Sequence, residues 1–353
     1  MGDNLRNALL QSGAVIDGAS GLPLHFGAPK AELHAALNVC TVADRSLLAR
    51  LIGDGPDLAD LLNRLSTNAV DALEPGSGAA TVLTTAKGRI VERLFLSHLG
   101  DAGLLLVGGT GRTDAILDHL KRFTFAEQTG LRDCAGEYGL LAIGGPLARE
   151  ALSTAGFEIP PPLGAVEGMQ DGIRTHILGH DGYSDEGFSV LVANEQADSL
   201  WQTLVLAVSK TDGRAAGELA LEVARVRRGV PAGGSELTAD YNPLEAGLWD
   251  AVAFDKGCYV GQEVVARLNT YDKVSRRLVG LRIPEDQLVV AGGTKLYRDK
   301  KEAGVVTSVA GIEGVETVAL GYIKTRVAEV DDTVQLGAVD GPGVRLQAFP
   351  MKD

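Results

Sequence analysis

Residues 255–267 read Asp-Lys-Gly-Cys-Tyr-Val-Gly-Gln-Glu-Val-Val-Ala-Arg, and they carry the densest chemical signal in the chain. An apolar run over residues 251–254 predicts a strand that enters this stretch, and residues 262–268 predict a helix that leaves it. Two glycines flank Cys258 in the turn between them. Cys258 is therefore expected just before a helix N-terminus and two residues from the ammonium group of Lys256, and both neighbours favour the thiolate form.

Two interpretations of Cys258 follow from the residues alone. It is either a reactive or ligand-forming thiolate, or a small buried hydrophobe in a strand-to-helix turn, as most single cysteines are. A cysteine–histidine nucleophile pair fits poorly, because all six histidines lie far upstream and no known local signature surrounds the cysteine. His176 and His180 have the spacing of two metal ligands on a helix, but the nearby glycines disfavour a helix. No metal site is predicted.

The composition of the chain limits its possible binding partners, its number of domains and its cellular compartment. Its 353 residues include 33 Lys+Arg and 46 Asp+Glu, which gives a net charge of −13 and argues against a general binder of nucleic acids or anionic membranes. The length predicts roughly two domains. Three cysteines without a Cys-x-x-Cys spacing fit a reducing compartment. Because no apolar leader or membrane-spanning run is present either, a cytoplasmic protein without a membrane partner is expected.

Apolar patterns divide the chain into an α+β region and an all-β region. Helical spacing of four leucines predicts an amphipathic helix: Leu58, Leu61, Leu62 and Leu65. Short apolar runs between glycine turns predict the strands that follow. Beyond residue 278, six short strands without a convincing helix predict a small β-barrel.

Two further local patterns lie in the α+β region. Residues 108–112 form a glycine turn before a helix, but they lack both the lysine of a Walker loop and the third glycine of a dinucleotide-binding loop. A capped tight turn is therefore preferred to a phosphate loop. Asn242, Pro243 and Glu245 combine an N-cap, a first-turn proline and a capping carboxylate, which predict the start of a short helix.

Eight residues of the opening stretch form a recognisable signature. The pattern Lys-Gly-Cys-Tyr-x-Gly-Gln-Glu-x-x-x-Arg at residues 256–267 resembles that of the YgfZ proteins, folate-binding relatives of the glycine-cleavage T-protein that support iron–sulfur enzymes and tRNA thiomodification. Several other stretches also resemble that family: residues 53–57, 182–188, 224–229, 242–248 and 304–308. The resemblance extends over about residues 15–350.

The resemblance implies a fold and a cofactor. The implied α+β fold is a ring of subdomains around a central hole, over residues 1–278, followed by a small C-terminal β-barrel over residues 279–353. Tetrahydrofolate, or a one-carbon derivative of it, is the implied occupant of the hole.

Three residues are implied folate contacts. Glu186 matches a folate-contacting glutamate of the T-protein, and a carboxylate can accept the row of donors on one edge of a pterin. Tyr183 lies in the same stretch. Arg225 matches the arginine of an Arg-x-x-x-Gly element, and its guanidinium fork suits the glutamate tail of folate. The alternative for Arg225 is a solvated helix residue.

The signature cysteine has no counterpart in the T-protein, so the resemblance implies that it marks the function particular to YgfZ-like proteins. Cys258 and Lys256 are the candidates for chemistry, with iron, a sulfur species or a one-carbon unit as possible occupants of the thiolate. The other signature positions are candidates for holding the loop or binding a partner: Gly257, Tyr259, Gly261, Gln262, Glu263 and Arg267. Arg267 also lies at ion-pair spacing from Glu263.

One departure from the T-protein pattern bears on activity. Aminomethyltransferases carry paired aspartates where this chain has Glu92 and Arg93, so an acidic pair is replaced by residues that could pair with each other. The longer glutamate is also misplaced for a geometry that tolerates little error. Glycine-cleavage activity is therefore expected to be lost while folate binding persists, and whether any reaction is catalysed stays open.

Three functions are compatible with the sequence. The leading hypothesis is a folate-binding accessory protein for iron–sulfur cluster assembly or repair, whose partners are assembly factors or client enzymes and which affects tRNA modification through them. A folate-dependent aminomethyltransferase is the second. A tRNA-contacting module is the third, on the basis of a basic strip over residues 273–301, although the net charge makes a solvated basic face the simpler interpretation.

Overall fold

Helices form over the leucines of residues 58–65 and from residue 262 onward, as the sequence predicts. The structure, a computed structural model, describes residues 3–180, 182, 184, 186–271, 273–284 and 290–351. In this part of the chain the α-helices are α1 (Asp3–Gln11), α2 (Pro29–Asn38), α3 (Leu58–Leu65), α4 (Thr113–Lys121), α5 (Ala148–Thr154), α6 (Ala197–Ser209), α7 (Glu218–Arg228) and α8 (Gln262–Thr270). All four leucines of the predicted amphipathic helix are buried on α3, which confirms that prediction.

The strands of the first two thirds of the chain are mostly short. They are β1 (Val15–Ile16), β2 (Pro23–His25), β3 (Thr41–Asp44), β4 (Leu48–Gly53), β5 (Gly78–Thr84), β6 (Ile90–His98), β7 (Leu104–Thr110), β8 (Arg132–Asp133), β9 (Tyr138–Gly144), β10 (Ala165–Gln170), β11 (Ile173–Leu178), β12 (Gly187–Ala193) and β13 (Arg214–Ala215). The strands that follow α8 are β14 (Arg276–Ile283), β15 (Lys295–Arg298), β16 (Lys301–Ile312), β17 (Glu316–Lys324), β18 (Thr333–Leu336) and β19 (Gly343–Gln347).

Two sheets form the α+β region. One has the strand order β10-β11-β12-β9-β3-β13 and the other β5-β6-β7-β4-β8. Helices α1, α5 and α6 cover one face of the first sheet, and α3 and α4 cover one face of the second. Side chains alternate between the two faces of a strand, and the second face of each sheet also carries apolar side chains. Leu105 on β7 packs there in one cluster with Leu140 and Leu191 of the other sheet.

The C-terminal strands close into the predicted barrel. Their order is β14-β17-β16-β15-β18-β19, and pairing of β14 with β19 closes it. Its first strand begins at Arg276. Helix α7 packs against β16 and β17, and the rings of Tyr241 and Tyr322 stack at 3.6 Å across the junction. The barrel is therefore fixed to the α+β region by a shared apolar core.

Two predictions of local structure are wrong. Residues 251–254 do not form a strand, because the backbone of Ala251 and Ala253 bonds to Thr67 instead of to a neighbouring strand. The helix expected at Asn242 stops after one turn. Its capping box forms, with Asn242 Oδ1 accepting the Glu245 N–H at 3.0 Å. Gly247 then adopts a φ of 76°, and the next N–H bonds back to the carbonyl of Pro243, a glycine-terminated helix end.

Membrane insertion through a helix finds no support in the described residues. None of their helices is long and apolar enough to cross a bilayer, and the longest, α6, has 13 residues.

Candidate ligand cavity and signature segment

Two adjoining cavities lie between the β5-β6-β7-β4-β8 sheet, α7 and the barrel. The outer cavity has a volume of about 880 Å³ and reaches the first barrel strand, and the inner cavity has a volume of about 270 Å³ and is lined by β6, β7 and α7. Arg93, Phe95 and Pro231 line both cavities and so form the boundary between them.

A buried carboxylate lies in the inner cavity. Glu92 on β6 accepts a hydrogen bond from Arg112 Nε at 2.8 Å, and burial raises the pKa of this carboxyl. The turn that supplies Arg112 is the glycine turn of residues 108–112. A Cβ at Gly233 would lie 2.8 Å from Glu92 Oε2, so this glycine leaves room for the carboxylate. The expected pairing of Glu92 with Arg93 is therefore replaced by a pair with Arg112, which leaves the Arg93 guanidinium available.

Arg225, the predicted contact for the folate tail, lines the inner cavity but is already engaged. Two of its guanidinium nitrogens donate to the carboxylate of Glu222, and Nη1 donates to Glu236 at 3.1 Å and to the Val230 carbonyl at 2.6 Å. It is buried, which differs from the solvated helix residue considered as the alternative. Since its fork is filled by Glu222, a ligand carboxylate would have to displace that side chain.

The two other predicted folate contacts come from the segment between β11 and β12. Glu186 is exposed and lies outside the residues that line the two cavities, while its carbonyl accepts the Gly145 N–H at 3.2 Å. Tyr183 lies outside the described residues. Both assignments remain predictions.

Sequence reasoning missed the polar pair at the boundary of the cavities. The Arg93 guanidinium lies 4.8 Å from the centre of the Phe95 ring, and the imidazole of His180 stacks on the same ring at 4.3 Å. His180 is 8% exposed, and neither ring nitrogen has a hydrogen-bond partner in the described part of the chain. Burial lowers the pKa of His180 to about 3, with a smaller contribution from Arg93, so the ring is neutral at pH 7. The only sequence signal was the acidic-to-basic change at Arg93.

No metal-binding group emerges from the described residues. No cluster of three or more His, Cys, Asp or Glu side chains among them is arranged to hold an ion. His176 lies on β11 and His180 follows that strand, so they do not share a helix face.

Residues 256–267, the signature segment, are attached to the C-terminal end of α3 and to β5. Lys256 Nζ donates to three backbone carbonyls, those of Asn63 at 2.7 Å, Ser66 at 3.0 Å and Asn68 at 2.6 Å. A cation at this position complements the partial negative charge of a helix C-terminus. Burial lowers the pKa of Lys256 to about 8, and the nearby Asp71 carboxylate opposes this shift. The ammonium group therefore serves as an anchor of the loop.

Other signature residues complete the attachment. Tyr259 is buried, with Lys256 Nζ 5.3 Å from the centre of its ring. Gly261 has a φ of 87°, and a Cβ there would lie 2.5 Å from the Thr85 carbonyl oxygen. Val260 bonds on both sides, to the Arg64 carbonyl through its N–H and to the Thr84 hydroxyl through its carbonyl. Each of these positions holds the loop close to the sheet.

Cys258 is exposed on this anchored loop, whereas Cys40 and Cys134 are buried. The interpretation of Cys258 as a buried hydrophobe is therefore wrong. Cys258 and Lys256 lie outside the residues that line the two cavities. The predicted helix after the loop is confirmed as α8, and Glu263 pairs with Arg267 on its solvent face at 2.7 Å. The signature segment thus presents its thiol to the surface.

Carboxylates neutralise part of the basic strip on the barrel. The described salt bridges include Arg282–Glu316, Lys295–Glu302 and Arg298–Asp332. Less unpaired positive charge remains there than the sequence suggested.

Comparison with protein families matches nearly the whole chain. Residues 9–256 match the family described as the GCVT N-terminal domain, and residues 276–349 match the glycine cleavage T-protein C-terminal barrel domain.

Individual relatives give the same picture. A chloroplastic protein of Arabidopsis thaliana, provisionally named a transferase, is 33% identical over 311 residues, which are 86% of this chain and 70% of that protein. An aminomethyltransferase of Shouchella clausii is 28% identical over 94% of this chain and 90% of its own length. The crystal structure of the glycine cleavage system aminomethyltransferase T of Bartonella henselae has a TM-score of 0.83 at 22% identity, covering 98% of this chain and 96% of that one. The predicted α+β fold with a C-terminal barrel is confirmed.

Proposed function

The chain belongs to the glycine-cleavage T-protein family, and from that premise we propose that it is a folate-binding accessory protein of the YgfZ type. In this role it supports iron–sulfur cluster assembly or repair and, through the enzymes that need clusters, tRNA modification. Its partners are iron–sulfur assembly factors or client enzymes.

Tetrahydrofolate, or a one-carbon derivative, is the proposed ligand of the two cavities. The outer cavity of about 880 Å³ lies in the range of small-molecule sites. A pterin offers a row of donors, and carboxylates are suitable acceptors for it. Glu186 keeps this role from the family resemblance.

Charge at the cavity boundary disfavours the aminomethyltransferase alternative. An aminomethyl group carries a basic amine, and Arg93 would repel its protonated form at the boundary of the two cavities. Glu92, the nearest acidic replacement, is already held by Arg112. This proposed function therefore does not include glycine cleavage.

The exposure of Cys258 carries the proposal. Lys256, Tyr259 and Gly261 hold the loop against α3 and β5, and the thiol between them faces outward. A loop whose anchors all point inward while one nucleophilic side chain points outward suits presentation of that side chain to another protein. We assign Cys258 to the contact with an iron–sulfur client or assembly factor.

Complementation tests this role. Cells that lack the protein are supplied with the wild type, Cys258→Ser or Arg345→Gln, and iron–sulfur enzyme activity and tRNA thiomodification are measured together with the amount of folded protein. We expect Cys258→Ser to lose support at normal protein level. The Arg345→Gln control removes an exposed ion pair on the barrel, outside the signature segment, and should retain support.

Tetrahydrofolate titration of the purified full chain tests the ligand separately. Binding to a single site is expected, and Glu186→Ala should weaken it. Full support of iron–sulfur enzymes by Cys258→Ser would overturn the assigned thiol role, and absence of folate binding would overturn the proposed cofactor.

A further inference from the structure

Near the boundary between the two cavities, the Arg93 guanidinium and the His180 imidazole lack hydrogen-bond partners in the described part of the chain. Arg93 lines both cavities, and within the described part of the chain its guanidinium makes no hydrogen bond or ion pair. His180 lines the inner cavity, stacks on the Phe95 ring that Arg93 also contacts, and is nine-tenths buried with two unpartnered nitrogens in the described part of the chain. Buried polar groups are normally satisfied, so two such groups facing one cavity call for a ligand or ordered water.

Two neighbouring cations, Arg112 and Arg225, differ from Arg93 because carboxylates pair with them. Arg112 is held by Glu92, and Arg225 by Glu222 and Glu236. Arg93 keeps its charge at neutral pH, since burial lowers its pKa only to about 10. Its guanidinium N–H groups have no hydrogen-bond acceptor in the described part of the chain, although the Glu92 carboxylate lies close enough to favour its charge.

The chemistry of the complementary group follows. A guanidinium that presents free N–H groups is matched by a planar anion with two oxygens, and a carboxylate is the common biological example. A neutral imidazole adds one donor and one acceptor. We propose that Arg93 and His180 form a recognition site for a carboxylate of the ligand at the boundary between the outer and inner cavities.

This site deepens the proposed function, on which it rests for the source of the carboxylate. Folate carries its carboxylates on the glutamate tail and none on the pterin. Arg93 therefore receives the tail, and the engaged Arg225 positions the wall of the cavity through Glu222 and Glu236.

Three probes separate the two ends of the ligand: tetrahydrofolate, p-aminobenzoylglutamate, which carries the tail alone, and 6-methyltetrahydropterin, which has no carboxylate. Each is titrated calorimetrically into the wild type, Arg93→Gln, Arg93→Lys and the control Arg6→Gln, which makes the same charge change on the exposed side of α1. Thermal unfolding checks that every variant is folded.

Arg93→Gln should weaken both carboxylate ligands by roughly 10- to 100-fold, as expected for loss of a hydrogen-bonded charge, and leave the pterin unchanged. Arg93→Lys should recover part of the loss, and Arg6→Gln should match the wild type. His180→Phe, which preserves stacking on Phe95, should weaken the same two ligands by roughly 2- to 10-fold.

The outcomes distinguish the two proposals. Equal affinity of wild type and Arg93→Gln for tetrahydrofolate and p-aminobenzoylglutamate would overturn the carboxylate site and leave folate binding intact. Arg93-dependent binding of p-aminobenzoylglutamate without any binding of tetrahydrofolate or the pterin would support the carboxylate site and remove folate as the ligand. A wild type that binds none of the probes would overturn both.

Discussion

The inner cavity and the signature segment satisfy their polar groups in opposite ways. At the cavity, Arg225 and Glu92 are paired while Arg93 and His180 stay without partners in the described chain. In the signature segment, Lys256 has three carbonyl partners and the thiol is simply exposed. The inner cavity has polar groups without partners, which suits the binding of a small ligand. The signature segment has satisfied buried polar groups, which suits the presentation of one exposed side chain.

Removing Arg225 should produce the largest effect on stability. Arg225→Met leaves the buried Glu236 and the partly buried Glu222 without their cation, and breaking a buried pair on one side costs about 3–5 kcal/mol. Urea denaturation measures the loss. The matched change on the signature segment, Arg267→Met, breaks an exposed pair and should leave stability unchanged. Similar losses from both variants would remove the contrast between the regions.

Gly261 tests whether the signature loop is tightly fitted. In Gly261→Ala the new Cβ combines a φ of 87° with a contact of 2.5 Å to the Thr85 carbonyl oxygen, and we expect a loss of about 2–3 kcal/mol. Gly257→Ala is the control, because its Cβ would meet nothing within 4 Å. Denaturation midpoints of the pair should differ clearly. If both variants matched the wild type, the loop would not be held as described.

His180 should make the inner cavity sensitive to acid. The unfolded chain protonates this histidine as the pH falls through about 6.5, while the folded chain keeps it neutral down to a pKa of about 3. The unfolded state thus binds the extra proton, and stability falls by about 2 kcal/mol between pH 7 and pH 5 from this residue. Denaturation at both pH values should show a smaller drop for His180→Phe. An unchanged drop would mean that the imidazole is not buried and neutral.

Thiol accessibility should give the smallest change in stability and the sharpest contrast in reactivity. A maleimide reagent should label Cys258 in the native protein and reach Cys40 and Cys134 only after denaturant is added. Cys258→Ser should unfold at the wild-type urea concentration. Mass spectrometry of labelled peptides identifies the site, and native labelling of Cys134 would contradict the described core.

Local patterns predicted the parts of the molecule that local physics decides. The barrel strands and α3 follow from apolar periodicity, and α8 from the sequence after Gly261. The prediction of a short helix at Asn242 was wrong because Gly247 ends it after one turn, although its capping box formed as predicted. An apolar run such as residues 251–254 is compatible with a strand or with a hydrogen-bonded loop, so composition alone could not distinguish these two structures.

The cavity boundary depends on contacts that no local pattern encodes. Arg93 lies inside β6 and His180 follows β11, in two different sheets, and each contacts the ring of Phe95. Likewise, Glu92 was expected to pair with its sequence neighbour Arg93, but both line the inner cavity without a described ion pair between them. Its partner Arg112 comes from the next strand's turn. The family resemblance located this region, and the structure was needed to show that Arg93 has no hydrogen-bond or ion-pair partner in the described part of the chain.

The carboxylate of Glu236 has a consequence for how a ligand reaches the cavity. It is fully buried and joins Arg225 of the inner wall to Thr307 and Ser308 of the barrel at 2.5 and 2.7 Å, while its carbonyl accepts the Tyr322 hydroxyl. Separating the barrel from the α+β region would expose this carboxylate and break its hydrogen bonds to Thr307 and Ser308. We therefore expect a ligand to enter without any separation of the barrel from the α+β region. We expect the ligand to enter through the outer cavity, which Arg93 also lines.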